Sequence, residues 1–338
     1  MSFEATTKYL TDPKWPLEEI SKFEYAVGLS PVSQFVQKPY LDLFSHAKNT
    51  ARSNAILLSR LLDLYLITGP PLPSELVSFE PDSSIDDPFY PITVLSFYTR
   101  WVQRSDSSTN QYSWDSVAPA IEKWMNKFND DTDEDRDLYI SELVNLIAAV
   151  SFAQPAYAQD QATKHGWFAP NFLDPTSVDY HILFLSKFNP DAIPEDPGYQ
   201  TLDSLSLYTK RYFPILLNMI SSPKTFELLK SSLSSQKLSR LSYDFLYQFL
   251  AQSTRYAYSA DYLLNSLPTM VSDYLVSSPS AINDPEIWNL KKEALHNLLL
   301  HSDLGMWEDK VTSTYKVMVN GKNIKDIEPA VDIMDETA

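Results

Sequence analysis

The sequence predicts an all-α fold, an armadillo/HEAT-like helical-repeat solenoid built from stacked helix pairs. Three observations predict it. Glycine is scarce, with 6 in 338 residues, whereas β-rich proteins and nucleotide-binding α/β proteins use glycine freely at turns and phosphate loops. Proline is common, at 23, and falls mostly between apolar periodic runs, where it separates helices. Those runs recur as pairs about every 40 residues, a period typical of helical repeats. The repeats are read from this rhythm, since internal self-similarity is weak. A composition that is 44% hydrophobic and 13% aromatic can fill a sizeable core.

In chain order, residues 1–16 read as irregular and 17–27 as a short helix stopped by Gly28. Pro31 opens a helix that runs to about His46. Residues 49–67 form the most apolar helix of the N-terminal half, with Leu58, Leu61, Leu62, Tyr65 and Leu66 on one stripe. Gly69, Pro70 and Pro71 end it. The connector 70–91 holds Pro70, Pro71, Pro73, Pro81, Pro88 and Pro91, too stiff for a flexible Gly/Ser linker. Helices follow at 92–104, 114–128 and 138–152, the last after an acidic run at 129–137. Residues 154–175 read as a long irregular crossing, 176–188 as helix and 190–198 as a proline-rich loop. Helices then come closely at 201–220, 223–233, 237–252, 253–267, 269–277 and 285–301. Residues 1–310 thus read as one solenoid. Residues 311–325 differ: KVMVNGKNI (316–324) sets apolar residues at alternate positions, such as Val317 and Val319, beside Asn320-Gly321, the pattern of a short hairpin or turn. The acidic tail to 338 reads as flexible.

The stretch 253–276 carries the repeat unit most fully. Tyr256, Ala260, Leu263, Leu264 and Leu267 make a core stripe. Arg255, Tyr258, Asp261, Tyr262 and Asn265 lie off it. Either the tyrosines rim the core with hydroxyls toward water, or this flank faces a partner, since Tyr and Arg supply many interface anchors. Similar mixed faces recur with Phe97, Tyr98, Arg100 and Trp101, and with Tyr208, Lys210, Arg211 and Tyr212. Stacked repeats would align such flanks along one wall. Tyr98, Arg100, Tyr208, Arg211, Arg255, Tyr258, Asp261 and Tyr262 are therefore the candidate partner-binding residues.

Net charge is −17, which argues against a nucleic-acid groove and favours a basic protein partner. The absence of cysteine excludes thiolate chemistry and disulfides. No basic leader followed by an apolar run opens the chain, and no apolar window is long enough to span a membrane. These features suit the cytoplasm and also the nucleus. Asp131, Asp133, Asp135 and Glu142 match four positions of a calcium-binding loop, but Arg136 stands where that loop needs glycine. The simpler reading is a solvated loop with acids at a helix N-terminus. His46, His165, His181, His296 and His301 show no zinc spacing. No nucleophile or phosphate-loop motif occurs, so no enzyme and no cofactor is expected.

Residues 254–271 (TRYAYSADYLLNSLPTMV), 292–300 (KEALHNLLL), Trp307 and 319–323 (VNGKN) resemble, in order, the C-terminal part of a family of yeast proteasome base-assembly chaperones. That family was named for a high-spontaneous-mutation phenotype and linked to mismatch repair. Its animal relative is a non-ATPase regulatory-particle chaperone. Looser matches at 216–229, 96–102 and 61–70 extend the resemblance backward. It implies a curved solenoid that binds the C-terminal domain of one AAA+ ATPase subunit of the 19S base. It also implies contact with the neighbouring ATPase and a large non-ATPase base subunit, release before or as the core particle docks, and no catalytic residues. The family has further repeats on the N-terminal side of where this chain begins. Two other readings stay open: a mismatch-repair accessory factor acting through protein contacts, and an unrelated helical-repeat scaffold adaptor.

Overall fold

A computed structural model describes residues 37–320 apart from 39, 53, 69–72, 106–112, 131–132, 170–178, 204, 280–281 and 301–302. The expected helix at 17–27, the start of that at Pro31, and the tail 321–338 lie outside these residues. Among the described residues there is no strand. The chain divides into two compact units, Met1–Ser204 and Leu205–Ala338.

In the first unit, α1 (Tyr40–Ala51) and α2 (Ala55–Thr68) are followed by a helical turn at Ser74–Val77. Then come α3 (Tyr90–Ser105), α4 (Ala118–Met125), α5 (Arg136–Ala153), α6 (Pro155–Lys164) and α7 (Asp179–Lys187). The stripe Leu58, Leu61, Leu62, Tyr65 and Leu66 is buried as its spacing requires. Packing runs α2 on α3, α3 on α5 and α5 on α7. Helix α6 corrects the expected irregular crossing. Pro155 sits at its first position, where a missing N–H costs nothing.

In the second unit, α8 (Phe213–Met219), α9 (Pro223–Lys230), α10 (Tyr243–Thr254) and α11 (Ala257–Ser266) lead to a helical turn at Pro268–Met270, which continues as a wider turn at Val271–Leu275. Helices α12 (Pro285–Leu300) and α13 (Glu308–Asn320) close it. Helix α8 packs on α10 and α10 on α12, while α9 packs on α11. That is a two-layered stack. The expected helix 201–220 is broken, because Pro214 starts α8 and could not lie inside a longer helix. The expected hairpin at 311–325 is also corrected. Residues 311–320 are helical, with Val311, Thr314 and Met318 buried on one stripe.

Polar side chains tie helices together within each unit. In the first unit Arg100 pairs with Asp63 at 2.6 Å, Lys164 with Glu122 at 3.0 Å, and Lys187 donates to Asn145 at 2.6 Å. In the second, Gln252 reaches the Leu217 carbonyl at 3.3 Å and Arg255 pairs with Glu293 at 2.7 Å. The intervals of these five ties run from 35 to 42 residues. These five ties fall near the 40-residue rhythm of the sequence, while others, such as Arg52 with Asp82 and Trp124 with Phe79, span 30 and 45 residues.

Candidate functional site

The tyrosines are the natural place to look for a surface, and the structure sorts them. Tyr98 is fully buried. Its hydroxyl accepts the Phe79 N–H at 2.6 Å and donates to the Val77 carbonyl at 2.9 Å. Burial raises its pKa. Tyr98 is therefore corrected from partner anchor to core, because its polar tip is spent on backbone that no water reaches. Phe97 and Trp101 of the same face are buried as well. Arg100 is half-exposed, but its guanidinium is held by Asp63 across the α2/α3 seam.

The second unit brings three of the other tyrosines together. Tyr258 and Tyr262, one turn apart on α11, pack on Phe226 of α9 with ring centroids 5.5 and 5.7 Å away. The Tyr258 hydroxyl donates to the Ile220 carbonyl at 2.6 Å, and that of Tyr262 to the Lys230 carbonyl at 3.2 Å. Both carbonyls lie at or just past helix C-termini, where the helix itself supplies no partner. Tyr208 lies beside them, half-buried, 3.2 Å from the Ser232 hydroxyl. Burial first, and Tyr262 nearby to a lesser degree, raise its pKa.

Two lysines that the sequence reading left out complete this face. Lys230 lies over the rings of Phe226 and Tyr262, at 5.8 and 5.9 Å from their centroids. Lys237 lies over Tyr208 at 5.2 Å and donates to the Ser232 carbonyl at 3.0 Å. Such cation–π placements hold an ammonium at an aromatic surface while leaving it hydrated on its outer side. Arg211 is exposed and lies over the Tyr212 ring at 5.9 Å.

Arg255 and Asp261 point elsewhere. Arg255 faces α12 through Glu293. Asp261 accepts from the Asn265 amide at 2.8 Å and lines an open cleft of about 620 Å³ with Leu264, Pro268, Leu304, Met306 and Trp307. The cleft wall is a braced turn. Asp303 accepts the Gly305 N–H at 3.0 Å, and Gly305 takes φ +52°, which a side chain would oppose. Trp307 donates to the Leu264 carbonyl at 3.3 Å. Met306 stands on that turn, 81% exposed.

Among the described residues, no group of three or more His, Cys, Asp or Glu could hold a metal ion. Of the calcium-loop set, Asp131 lies outside the described residues. Asp133 is engaged by Lys127 at 3.3 Å and Tyr139 at 2.7 Å, and Glu142 sits on α5 beside Asn145. No helix among the described residues is long and apolar enough to cross a membrane.

Three of the stretches that carry the resemblance, 254–271, 292–300 and Trp307, meet in space. Arg255 of the first holds Glu293 of the second. The Asn297 amide reaches the Thr254 hydroxyl at 3.4 Å. Trp307 closes on Leu264. Residues 110–338 match the family model described as "DNA mismatch repair protein HSM3, C terminal domain". A relative of that name from Scheffersomyces stipitis is 30% identical over 100% of this chain and 72% of its own length. One from Debaryomyces hansenii is 29% identical over 90% of this chain and 63% of its own. One from Candida albicans is 32% identical over 85% and 61%. The chain thus spans roughly two-thirds of the length of these relatives, from 61% to 72%. By family model and by relatives alike, the chain belongs to the HSM3 family of DNA mismatch repair proteins.

Proposed function

We propose that the chain is a protein-binding scaffold that chaperones assembly of the proteasome regulatory-particle base. In this reading it grips the C-terminal domain of one AAA+ ATPase subunit. It holds that subunit with its neighbouring ATPase and a large non-ATPase base subunit, in the cytoplasm or nucleus. The observation that carries the reading is the convergence of 254–271, 292–300 and Trp307 into one interlocked corner of the second unit. Those are the stretches that resemble the assembly chaperones. A stack of helices tied to one another suits an extended binding surface, and an excess of acidic side chains suits encounter with a basic partner domain. The test is mass spectrometry of proteins that co-purify with the tagged full chain. Regulatory-particle ATPases are expected; their absence would overturn the proposal.

The name shared by the relatives favours a second reading, an accessory role in mismatch repair through protein contacts. A deletion strain separates the two. Raised mutation rate with normal base assembly supports repair, and stalled base assembly supports the chaperone.

A further inference from the structure

The chain is acidic, yet one stretch of it is not. Residues 205–242 carry Lys210, Arg211, Lys224, Lys230, Lys237 and Arg240 against a single acid, Glu227. All except Lys230 are exposed, and Lys230 is half-exposed. The geometry gives this island a centre. Lys237 lies over Tyr208 and Lys230 lies over Tyr262, and Ser232 braces the first pair through the Tyr208 hydroxyl and the Lys237 ammonium. Lys230 also meets Glu227, an exposed partner three residues away on α9, and such pairs contribute little.

We infer that this Tyr208–Tyr262 face docks a short acidic segment of a partner protein, with Lys230 and Lys237 as its cationic contacts. The inference rests on the protein-binding reading above and adds a second surface of opposite charge. Three physical points select the occupant. First, two ammonium groups seated on aromatic rings lose less freedom on meeting carboxylates than lysines on bare helix, which lowers the ordering cost of binding. Second, the tyrosine hydroxyls of this face are already bonded to protein oxygens, and their rings are half-buried. They form a rim for a peptide and not open platforms for stacked bases. Third, at physiological ionic strength a charge is felt over about 8 Å. A short acidic segment therefore senses the local island, while a long polyanion also meets the acidic surface around it. A second copy of this chain, at −17, is repelled for the same reason.

The test is fluorescence anisotropy with the full chain. The probe is a labelled Asp/Glu-rich peptide bearing one Phe, and the comparison is a labelled oligo-dT of equal charge. Lys230→Glu with Lys237→Glu is expected to weaken peptide binding at least about tenfold. Lys310→Glu with Lys316→Glu makes the same charge change at exposed positions of α13, outside this face, and is expected to weaken it less than about twofold. Lys230→Gln with Lys237→Gln repeats the loss without reversing charge and guards against misfolding of the first pair. Unchanged binding in both Lys230/Lys237 pairs, equal loss in the remote pair, or oligo-dT binding as tight as the peptide would each overturn the inference. So would a rise of more than about tenfold on removing residues 326–338, since the chain's own acidic segment would then be the occupant. Co-purification of ATPases reports on the assembly reading alone, so each can fail without the other.

Discussion

At the scale of single residues, the aromatic polar tips set the character of this protein. Tyr65, Tyr90, Tyr98, Trp124, Tyr247, Tyr258, Tyr262 and Trp307 each donate to a backbone carbonyl. Their worth depends on what is stranded when the tip is removed. Tyr98→Phe leaves a buried Phe79 N–H and Val77 carbonyl without their partner and is expected to cost about 1–3 kcal/mol. Tyr258→Phe frees a carbonyl on a half-exposed face and is expected to cost about 1 kcal/mol. Thermal unfolding of the two variants should rank them in that order; equal midpoints would contradict the burial argument. None of this was legible in the sequence. Tyr98 and Tyr258 stand in similar Tyr/Arg neighbourhoods, and helical spacing does not say whether a flank meets solvent or the next repeat. Lys291 makes the same point with a charge. It is fully buried on α12 and donates to the Ser277 carbonyl at 2.9 Å. Burial lowers its pKa from 10.5 to about 8. The folded state therefore binds fewer protons than the unfolded one between about pH 8 and 10.5, and this group adds stability as pH rises through that window. The difference in melting temperature between the wild type and Lys291→Met should grow in the wild type's favour from pH 8 upward. A difference that is flat with pH would remove the buried cation from the account.

At the scale of elements, helix ends were harder to read than helix interiors. The stripe of α2 and the buried positions Ala260, Leu263 and Leu264 of α11 follow from spacing alone. The errors came where two patterns compete. Val317 and Val319 fall at alternate positions ahead of Asn320-Gly321, as in a strand, yet Val311, Thr314 and Met318 also repeat at three and four residues. The longer-range period won because α13 has α12 to pack on. The break between α10 and α11 is likewise tertiary. Tyr256 takes an extended backbone, φ −119° and ψ 135°, and the buried Ser259 hydroxyl donates to the Ser253 carbonyl at 2.6 Å across the bend. Trp307 fixes the start of α13 against the end of α11. Trp307→Ala removes a nearly buried indole and its hydrogen bond, for an expected cost of about 3–5 kcal/mol. Hydrogen exchange should then speed up in α11 and α13 while α3 and α5, in the other unit, keep their protection. Uniform acceleration through both units would show that Trp307 does not act locally.

At the scale of the whole molecule, charge is the property that sequence states most directly and structure redistributes. A net charge of −17 predicts a basic partner. The acids are spread, however, and some are already paired between helices, as Asp63, Glu122 and Glu293 are. Exposed pairs of this kind contribute at most about 1 kcal/mol each, so the stack relies on its buried aromatics for stability and leaves its unpaired acids for encounter. If the chain receives the ATPase C-terminal domain through that field, the association rate should fall steeply between low and physiological salt, because screening shortens the reach of the surface charge. The dissociation rate should move far less, since contacts within a formed interface are screened little. Stopped-flow association of the purified domain across a salt series measures both. A salt-independent association rate would mean that recognition is local and apolar, and the Met306 cleft would then become the surface to mutate first, with Met306→Glu expected to abolish capture while leaving the melting temperature unchanged.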